Sequence, residues 1–334
     1  MKKSDMVQKI FHNKLLQAPQ RETGKAFAPT NIALCKYWGK RNSELNLPVT
    51  SSLSIALPEK GAHTSIIESH TKDDVIILNG EALPADSNFV KRLKNYLDLF
   101  RVQAAWRLQI DINMNIPVAA GLASSACGFA SLITALDDLF NWKLSRRELS
   151  LLARLGSGSA ARSLWDGFVE WHAGTQADGM DSYAEPLAIE WPEFMVGILS
   201  ITDAEKPVSS RVAMQRTVDT SMLYANWPDK VAQDMKLLHQ ALQEKNFSLL
   251  GATAESNALN MHATMLSSWP PVCYYLPETI AAMQQIWSLR LEGLEIYFTQ
   301  DAGPNLKILF LEKDKAIIKK QFPQVDMISL FNCS

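Results

Sequence analysis

One uncharged run, from Ile112 to Leu136, constrains the fold more than any other part of the sequence. It is long enough to cross a bilayer, for which about 20 apolar residues suffice. Yet Asn113, Asn115, Pro117, Gly121 and the pair Ser124-Ser125 interrupt its first half. A Gly/Ser loop running into a buried helix satisfies both halves, and a helix apolar on every side needs sheets or other helices around it. The neighbouring patterns therefore decide the architecture.

Runs of β-rich sequence stand at 52–57 (SLSIAL), 64–69 (TSIIES) and 75–78 (VIIL), the last ending in Asn79-Gly80, a strong hairpin signal. The segment 89–100 has helical spacing and 106–114 alternates like a strand. Helices are predicted over 124–139 and 145–155, the second with Ser145 and Glu148 spaced as a capping box. Strands are expected at 167–173 and 196–201, then long helical patterns at 219–245 and 278–291, the latter stopped by Gly293. Strands at 295–299 and 307–311 close the chain around Asp301-Ala302-Gly303-Pro304-Asn305. Strands and helices do not alternate regularly, so an α+β architecture with helices on one face of mixed sheets is favoured over a doubly wound one. A length of 334 residues suits two lobes. The pair Pro186 and Pro192 suggests a boundary, giving an N-terminal extension over 1–24, a first lobe over 25–190 and a second over 191–334.

Charge narrows the ligand. With 33 basic and 35 acidic side chains the net charge is −2, which disfavours a nucleic-acid binder held by a general basic field. An anionic ligand must instead meet a local cluster. Cys35, Cys127, Cys273 and Cys333 are far apart without a CxxC pair, which suits a reducing compartment and argues against structural zinc. The basic N-terminus lacks an apolar core because Asp5, Gln8, Lys9 and Asn13 interrupt it, so neither a signal nor an anchor is read.

Three segments have the chemistry of phosphate or carboxylate recognition. The loop Pro117 to Ala126 leads into a helix, whose N-terminal N–H groups attract phosphate; Ser124 and Ser125 add hydroxyls that can reach phosphate oxygens or magnesium. A capped core helix explains the same residues. Gly156 to Ala161 followed by Arg162 puts a guanidinium past a flexible turn, suited to clamping an anion or simply to an interhelix turn. Lys36 and Lys40 bracket two aromatics and Gly39 after an apolar run, and a lysine there is costly unless it meets an anion or snorkels outward. Asp301 on its own reads as a turn former.

Together, APTNIALCKYWGKR, LNLPVTSSLS, IPVAAGLASSA, GSGSAARS, ADGMDS, PVSSRVAM, MHAT and DAGPN resemble the mevalonate diphosphate decarboxylases. That family lies within the small-molecule kinase superfamily of mevalonate kinase, galactokinase and homoserine kinase. The resemblance runs from about Ala26 to Leu311 and implies a two-lobed α+β fold of mixed and antiparallel sheets with a deep cleft. It implies ATP-dependent decarboxylation of mevalonate 5-diphosphate to isopentenyl diphosphate, the last step of the mevalonate route to isoprenoids, with ATP and Mg2+ and no metal site built from protein ligands. A monophosphate decarboxylase or a mevalonate 3-kinase of the same family is the alternative. A cytoplasmic homodimer without nucleic-acid or membrane partners is expected on the same basis.

By this resemblance Asp301 is the base or orienting group, Lys36 neutralises charge on the transferred phosphoryl group, and Arg162 holds the substrate carboxylate. Tyr37, Trp38, Gly39, Lys40, Ser157, Gly158, Ser159, Ala160 and Ala161 line the substrate pocket, and Ser210 and Arg211 meet the diphosphate. Ala120, Gly121, Ser124 and Ser125 fall on the ATP-phosphate loop, with Asn31 and Ser52 at further nucleotide positions. Ala213 stands where a glycine is expected before Met214, which would stiffen that loop. Either Lys91 or Arg92 approaches the diphosphate.

Overall fold

The computed structural model describes residues 1–12, 18–101, 106–116, 124–204 and 206–331. The first lobe runs α1 (Lys3–Ile10), β1 (Thr23–Cys35), β2 (Lys40–Asn42), β3 (Leu47–Pro48), β4 (Ser52–Glu68), β5 (Val75–Leu78), β6 (Glu81–Ala82), α2 (Asn88–Leu97) and β7 (Leu108–Met114). It continues through α3 (Ser124–Phe140), α4 (Arg146–Gly156), a 3-10 turn at Gly158–Arg162, β8 (Phe168–Trp171) and β9 (Ala184–Pro186). The second lobe holds β10 (Phe194–Leu199), α5 (Ser210–Thr220), α6 (Trp227–Glu244), α7 (Phe247–Leu266), α8 (Pro277–Leu291), β11 (Tyr297–Gln300), β12 (Leu306–Leu311), α9 (Lys315–Gln321) and β13 (Asp326–Ser329).

β4 organises the first sheet. It pairs antiparallel with β1 along its whole length, from Thr23↔Ile67 to Cys35↔Leu53, and its other edge is shared by β7 and β8. Only β5 and β7 run parallel among the described pairs, so the sheet is mixed; the second sheet, β11-β12-β10-β13, is antiparallel throughout. The runs at 52–57 and 64–69 are thus one strand. Asn79 and Gly80 both adopt positive φ (50° and 84°) in the β5–β6 hairpin, as the dipeptide predicts.

The uncharged run divides into β7, a connecting segment and α3. Ala126, Cys127, Ala130, Ile133 and Leu136 on α3 are fully buried, and Ser131 meets Thr64 of β4 at 2.7 Å. No helix among the described residues is long and apolar enough to cross a membrane. The Ser145–Glu148 capping box is present in both directions, with Ser145 N–H donating at 2.7 Å and Glu148 N–H at 3.3 Å.

Helix α1 changes the standing of residues 1–24. Met6, Val7, Ile10 and Phe11 are buried in the principal core, where Phe11 meets the Trp142 ring edge-on at 4.9 Å. Burying such side chains contributes about 1.5–3 kcal/mol each. This part of the expected extension is therefore core of the first lobe. The same core continues into the second lobe through Trp191, Phe194, Trp227 and Ala254.

The second lobe departs from expectation at three places. The strand at Leu306–Leu311 does not close the chain, because α9 and then β13, which pairs with β10, follow it. The helical pattern at 219–245 is interrupted: α5 ends at Thr220, a 3-10 turn covers Met222–Asn226, and α6 begins at Trp227 with Pro228 in its first turn. Helix α7 has no counterpart in the sequence reading. Its buried residues share one broad face, but that face carries Thr253, Glu255, Asn257, His262 and Thr264 while Leu259, Ala263 and Leu266 sit on the outer one, so no apolar stripe advertises it.

Candidate active site

Lys36 lies one residue past β1, at the floor of the junction between lobes. Its ammonium, 2 % exposed, donates to the Ala33 carbonyl and to Asp301 Oδ1, each at 2.8 Å. Its backbone N–H donates to Asn257 Oδ1 on α7 at 2.8 Å, and Asn257 in turn donates to Asp234 of α6 at 2.7 Å. Asp301 occupies the turn between β11 and β12. Its second oxygen faces the buried Lys307 ammonium at 3.1 Å, and its carbonyl accepts from His262 Nε2 at 3.1 Å.

Burial alone would raise the Asp301 pKa, but Lys307 and Lys36 override it and hold the carboxyl well below the usual carboxylate range. Burial lowers Lys36 to about 8, with Asp301 opposing the fall. It also lowers His262 to about 3, leaving a neutral imidazole that donates through Nε2. The centre is an ionised carboxylate between two ammoniums: a well-oriented acceptor of low basicity.

Arg162 is 3 % exposed at the end of the 3-10 turn. Nε and Nη2 donate to Asn31 Oδ1 at 3.3 and 3.2 Å, Nη1 donates to Ser52 Oγ, and the guanidinium stands 6.0 Å from the Trp171 ring centroid. Burial lowers it to about 10, opposed by Asp301, and its charge in turn depresses Lys36, so the three predicted catalytic groups share one electrostatic environment. Three of five N–H donors are engaged among the described residues, leaving two for a planar anion. Asn31 and Ser52, expected at nucleotide positions, hydrogen-bond Arg162 in this structure. Both side chains are buried on Arg162 and orient it.

Tyr37 packs edge-on against Trp171 at 4.7 Å, and its buried hydroxyl has no partner among the described residues. Such an orphan costs about 1–3 kcal/mol, which a ligand oxygen would relieve. A Cβ on Gly158 would lie 2.8 Å from the Tyr37 ring, which explains the glycine. Gly39 has φ +112°, and a Cβ there would run into the Tyr224 hydroxyl, which donates to the Trp38 carbonyl at 3.1 Å. Trp38 is therefore a buried packing residue whose carbonyl fixes the loop. Ala160 and Ala161 have buried side chains, leaving their backbone as what they could offer a ligand.

A cavity of about 620 Å3 has walls that include Lys3, Lys40, Asn46 and Arg211. Lys40 donates to Asn46 Oδ1 at 2.7 Å, and burial together with Arg211, Lys3 and Arg92 lowers it to about 8. Arg92 belongs to this group, its guanidinium 5.7 Å from the Phe129 ring centroid and its pKa lowered by burial and by Arg211. Of Lys91 and Arg92, it is the one coupled to the cluster. Ser210 opens α5 and accepts from Lys206 at 2.7 Å, which also donates to the Ala302 carbonyl at 2.8 Å. Ala213 sits buried within α5 rather than in a loop, where alanine is about 1 kcal/mol better than glycine.

Of the expected ATP loop, Ala120, Gly121 and the side chain of Ser124 lie outside the described residues. Ser125 Oγ is 3.3 Å from Ser157 Oγ, which is 3.4 Å from Ser159 Oγ, so α3 begins against the substrate-side turn. Among the described residues no three His, Cys, Asp or Glu side chains form a metal cage. Ser125 is a described hydroxyl that a Mg2+ ion on phosphate oxygens could reach. Lys307, Lys206 and Asn257 escaped the sequence reading, whereas His262 lay in the MHAT segment without a role.

Two family models cover most of the chain: "Diphosphomevalonate decarboxylase-like N-terminal domain" over residues 28–184 and "Mevalonate 5-diphosphate decarboxylase C-terminal domain" over 196–330. A diphosphomevalonate decarboxylase of Aspergillus fumigatus is 40% identical over 314 residues, covering 87% of this chain and 77% of that one. The crystal structure of mevalonate diphosphate decarboxylase from Staphylococcus aureus superposes with a TM-score of 0.87 at 36% identity, covering 93% and 96% of the two chains. A structure described as "MDDEF in complex with MVAPP, AMPPCP and Magnesium" gives 0.84 at 40% identity, covering 91% and 95%.

Proposed function

The chain belongs to the diphosphomevalonate decarboxylase family, and from that membership we propose how its side chains divide the work. The reaction converts mevalonate 5-diphosphate and ATP, with magnesium, to isopentenyl diphosphate, ADP, phosphate and carbon dioxide. ATP, when bound, would supply the phosphoryl group that makes the tertiary hydroxyl a leaving group, and magnesium would neutralise its phosphate oxygens. Asp301 accepts a hydrogen bond from that hydroxyl and aims its oxygen; with two ammoniums suppressing its basicity, orientation precedes proton uptake. Lys36 offsets the negative charge that develops as the phosphoryl group moves. Arg162 takes the substrate carboxylate on its two uncommitted N–H groups. That fixes the carbon–carbon bond whose electron pair becomes the double bond as phosphate departs. The Tyr37 hydroxyl, Lys40, Arg92, Ser210 and Arg211 hold the diphosphate.

The observation that carries this assignment is the 2.8 Å contact between Lys36 and Asp301, with Arg162 in the same field. The test couples ADP release to carbon dioxide release on mono- and diphosphorylated mevalonate. Stoichiometric release of both products from the diphosphate is expected. Preference for the monophosphate, or ADP without carbon dioxide, overturns the diphosphate pocket or the decarboxylating role respectively. The family resemblance is also what supports a cytoplasmic homodimer, which light scattering on the purified chain tests.

A further inference from the structure

We propose that Lys3, on α1, is a substrate-binding residue that contacts the outer phosphate of the diphosphate; this rests on the assignment of the Lys40–Arg211 cavity above. The matched family region begins at residue 28, so α1 lies outside it. The helix is nevertheless anchored. Met6, Val7 and Ile10 enter the core, Arg154 Nη2 meets Met6 Sδ at 3.1 Å, and Lys9 pairs with Asp178 at 2.6 Å. That anchoring sets Lys3 in the cavity wall beside Lys40 and Arg211.

Its surroundings are short of negative charge. The Lys3 pKa is lowered first by burial, then by Arg211 and Arg92, with Glu44 opposing. Among the described residues the Lys3 ammonium has no carboxylate within salt-bridge distance; Glu44 instead accepts from its backbone N–H at 3.4 Å. Asp219 also lines the cavity but already accepts from Gln215 at 2.8 Å. Lys3, Lys40 and Arg211 thus line one hollow, with Arg92 coupled to them, and the mutual repulsion of the four is largely uncompensated. A diphosphate, with about three negative charges near neutral pH and several acceptor oxygens, compensates all four together.

The test uses the full chain carrying Lys3→Met, with Lys3→Arg for rescue, Arg211→Gln as control, and inorganic pyrophosphate as a competing probe. For Lys3→Met, the KM for mevalonate diphosphate and the inhibition constant of pyrophosphate rise together by about tenfold. The kcat and the KM for ATP stay within about twofold, the melting temperature is unchanged, and Lys3→Arg restores most of the affinity. Unchanged constants for Lys3→Met beside a clear loss for Arg211→Gln overturn the role of Lys3 alone. Full pyrophosphate inhibition of Arg211→Gln overturns the diphosphate pocket and the proposal with it. A lowered melting temperature with equal losses for both substrates assigns Lys3 a structural role instead.

Discussion

Asp301→Asn removes one negative charge that serves two ammoniums, so its effect is compounded. The amide still accepts a hydrogen bond from the substrate hydroxyl, but Lys36 and Lys307, at 2.8 and 3.1 Å, lose their counter-charge. Removing a group of this kind costs about 10²–10⁴ in rate. The depressed basicity of Asp301 places its own share near the lower bound, about 10². Lys36 stands at about 8 only because Asp301 opposes burial, so in the variant it falls further and loses charge near neutral pH. Discharging it removes about another tenfold of phosphoryl-group stabilisation. The expected fall in kcat is therefore about 10³, or about 4 kcal/mol in the barrier. The hydrogen bonds of Arg162 to Asn31 and Ser52 and the residues of the diphosphate pocket are kept, so calorimetric affinity for mevalonate diphosphate stays within about threefold. Single-turnover ADP release and carbon dioxide release should decline together. A kcat within tenfold of the parent, or substrate affinity lost as far as rate, refutes the reasoning.

Arg162→Gln should raise the KM for mevalonate diphosphate by about 10–100-fold while moving the KM for ATP by less than about threefold; equal losses for both ligands contradict a carboxylate clamp. Gly39→Ala forces a Cβ into the Tyr224 hydroxyl at φ +112°, and denaturant titration should show about 1–3 kcal/mol lost with the Tyr224 anchor disrupted. His172 on the lobe junction is raised to about 9 by Glu170, against burial and with help from Glu185, and Glu170 also meets His239 of α6 at 2.9 Å. A raised pKa gives stability that is full below the free histidine value of about 6.5 and gone above about 9. The melting temperature of His172→Gln should therefore trail the parent at about pH 6 and match it at about pH 9.5; a gap that persists there sinks the charge argument.

The parts of the fold that the sequence announced are those whose signals are local. Asn79-Gly80 needs only its own positive-φ preference, and Ser145 with Glu148 needs one helical turn. Helix α7 was hidden because its buried face carries Thr253, Glu255, Asn257 and His262, so burial left no apolar periodicity in the sequence. The site divides likewise. Lys36, Arg162 and Asp301 stood out through their motifs, and the lobes bring them together. Lys307 opens a strand that the sequence announced, but only its approach to Asp301 gives it meaning. Asn31 and Ser52 were legible as cleft residues but not as supports, because their partner Arg162 is more than 100 positions away. Lys3 was invisible for the opposite reason, since Met6 and Ile10 hint at one helical turn but nothing there points to the distant cavity beside which that turn is pinned.

The Lys36–Asp301 contact joins the end of a strand from one lobe to a turn from the other. Neither half of the gene product therefore carries a usable centre on its own: a fragment holding the lysine keeps a buried cation without its anion, and a fragment holding the aspartate keeps Lys307 but nothing to steady a migrating phosphoryl group. On the roles proposed above, a hybrid of two such chains works only where both halves bring their own lysine and aspartate to that seam.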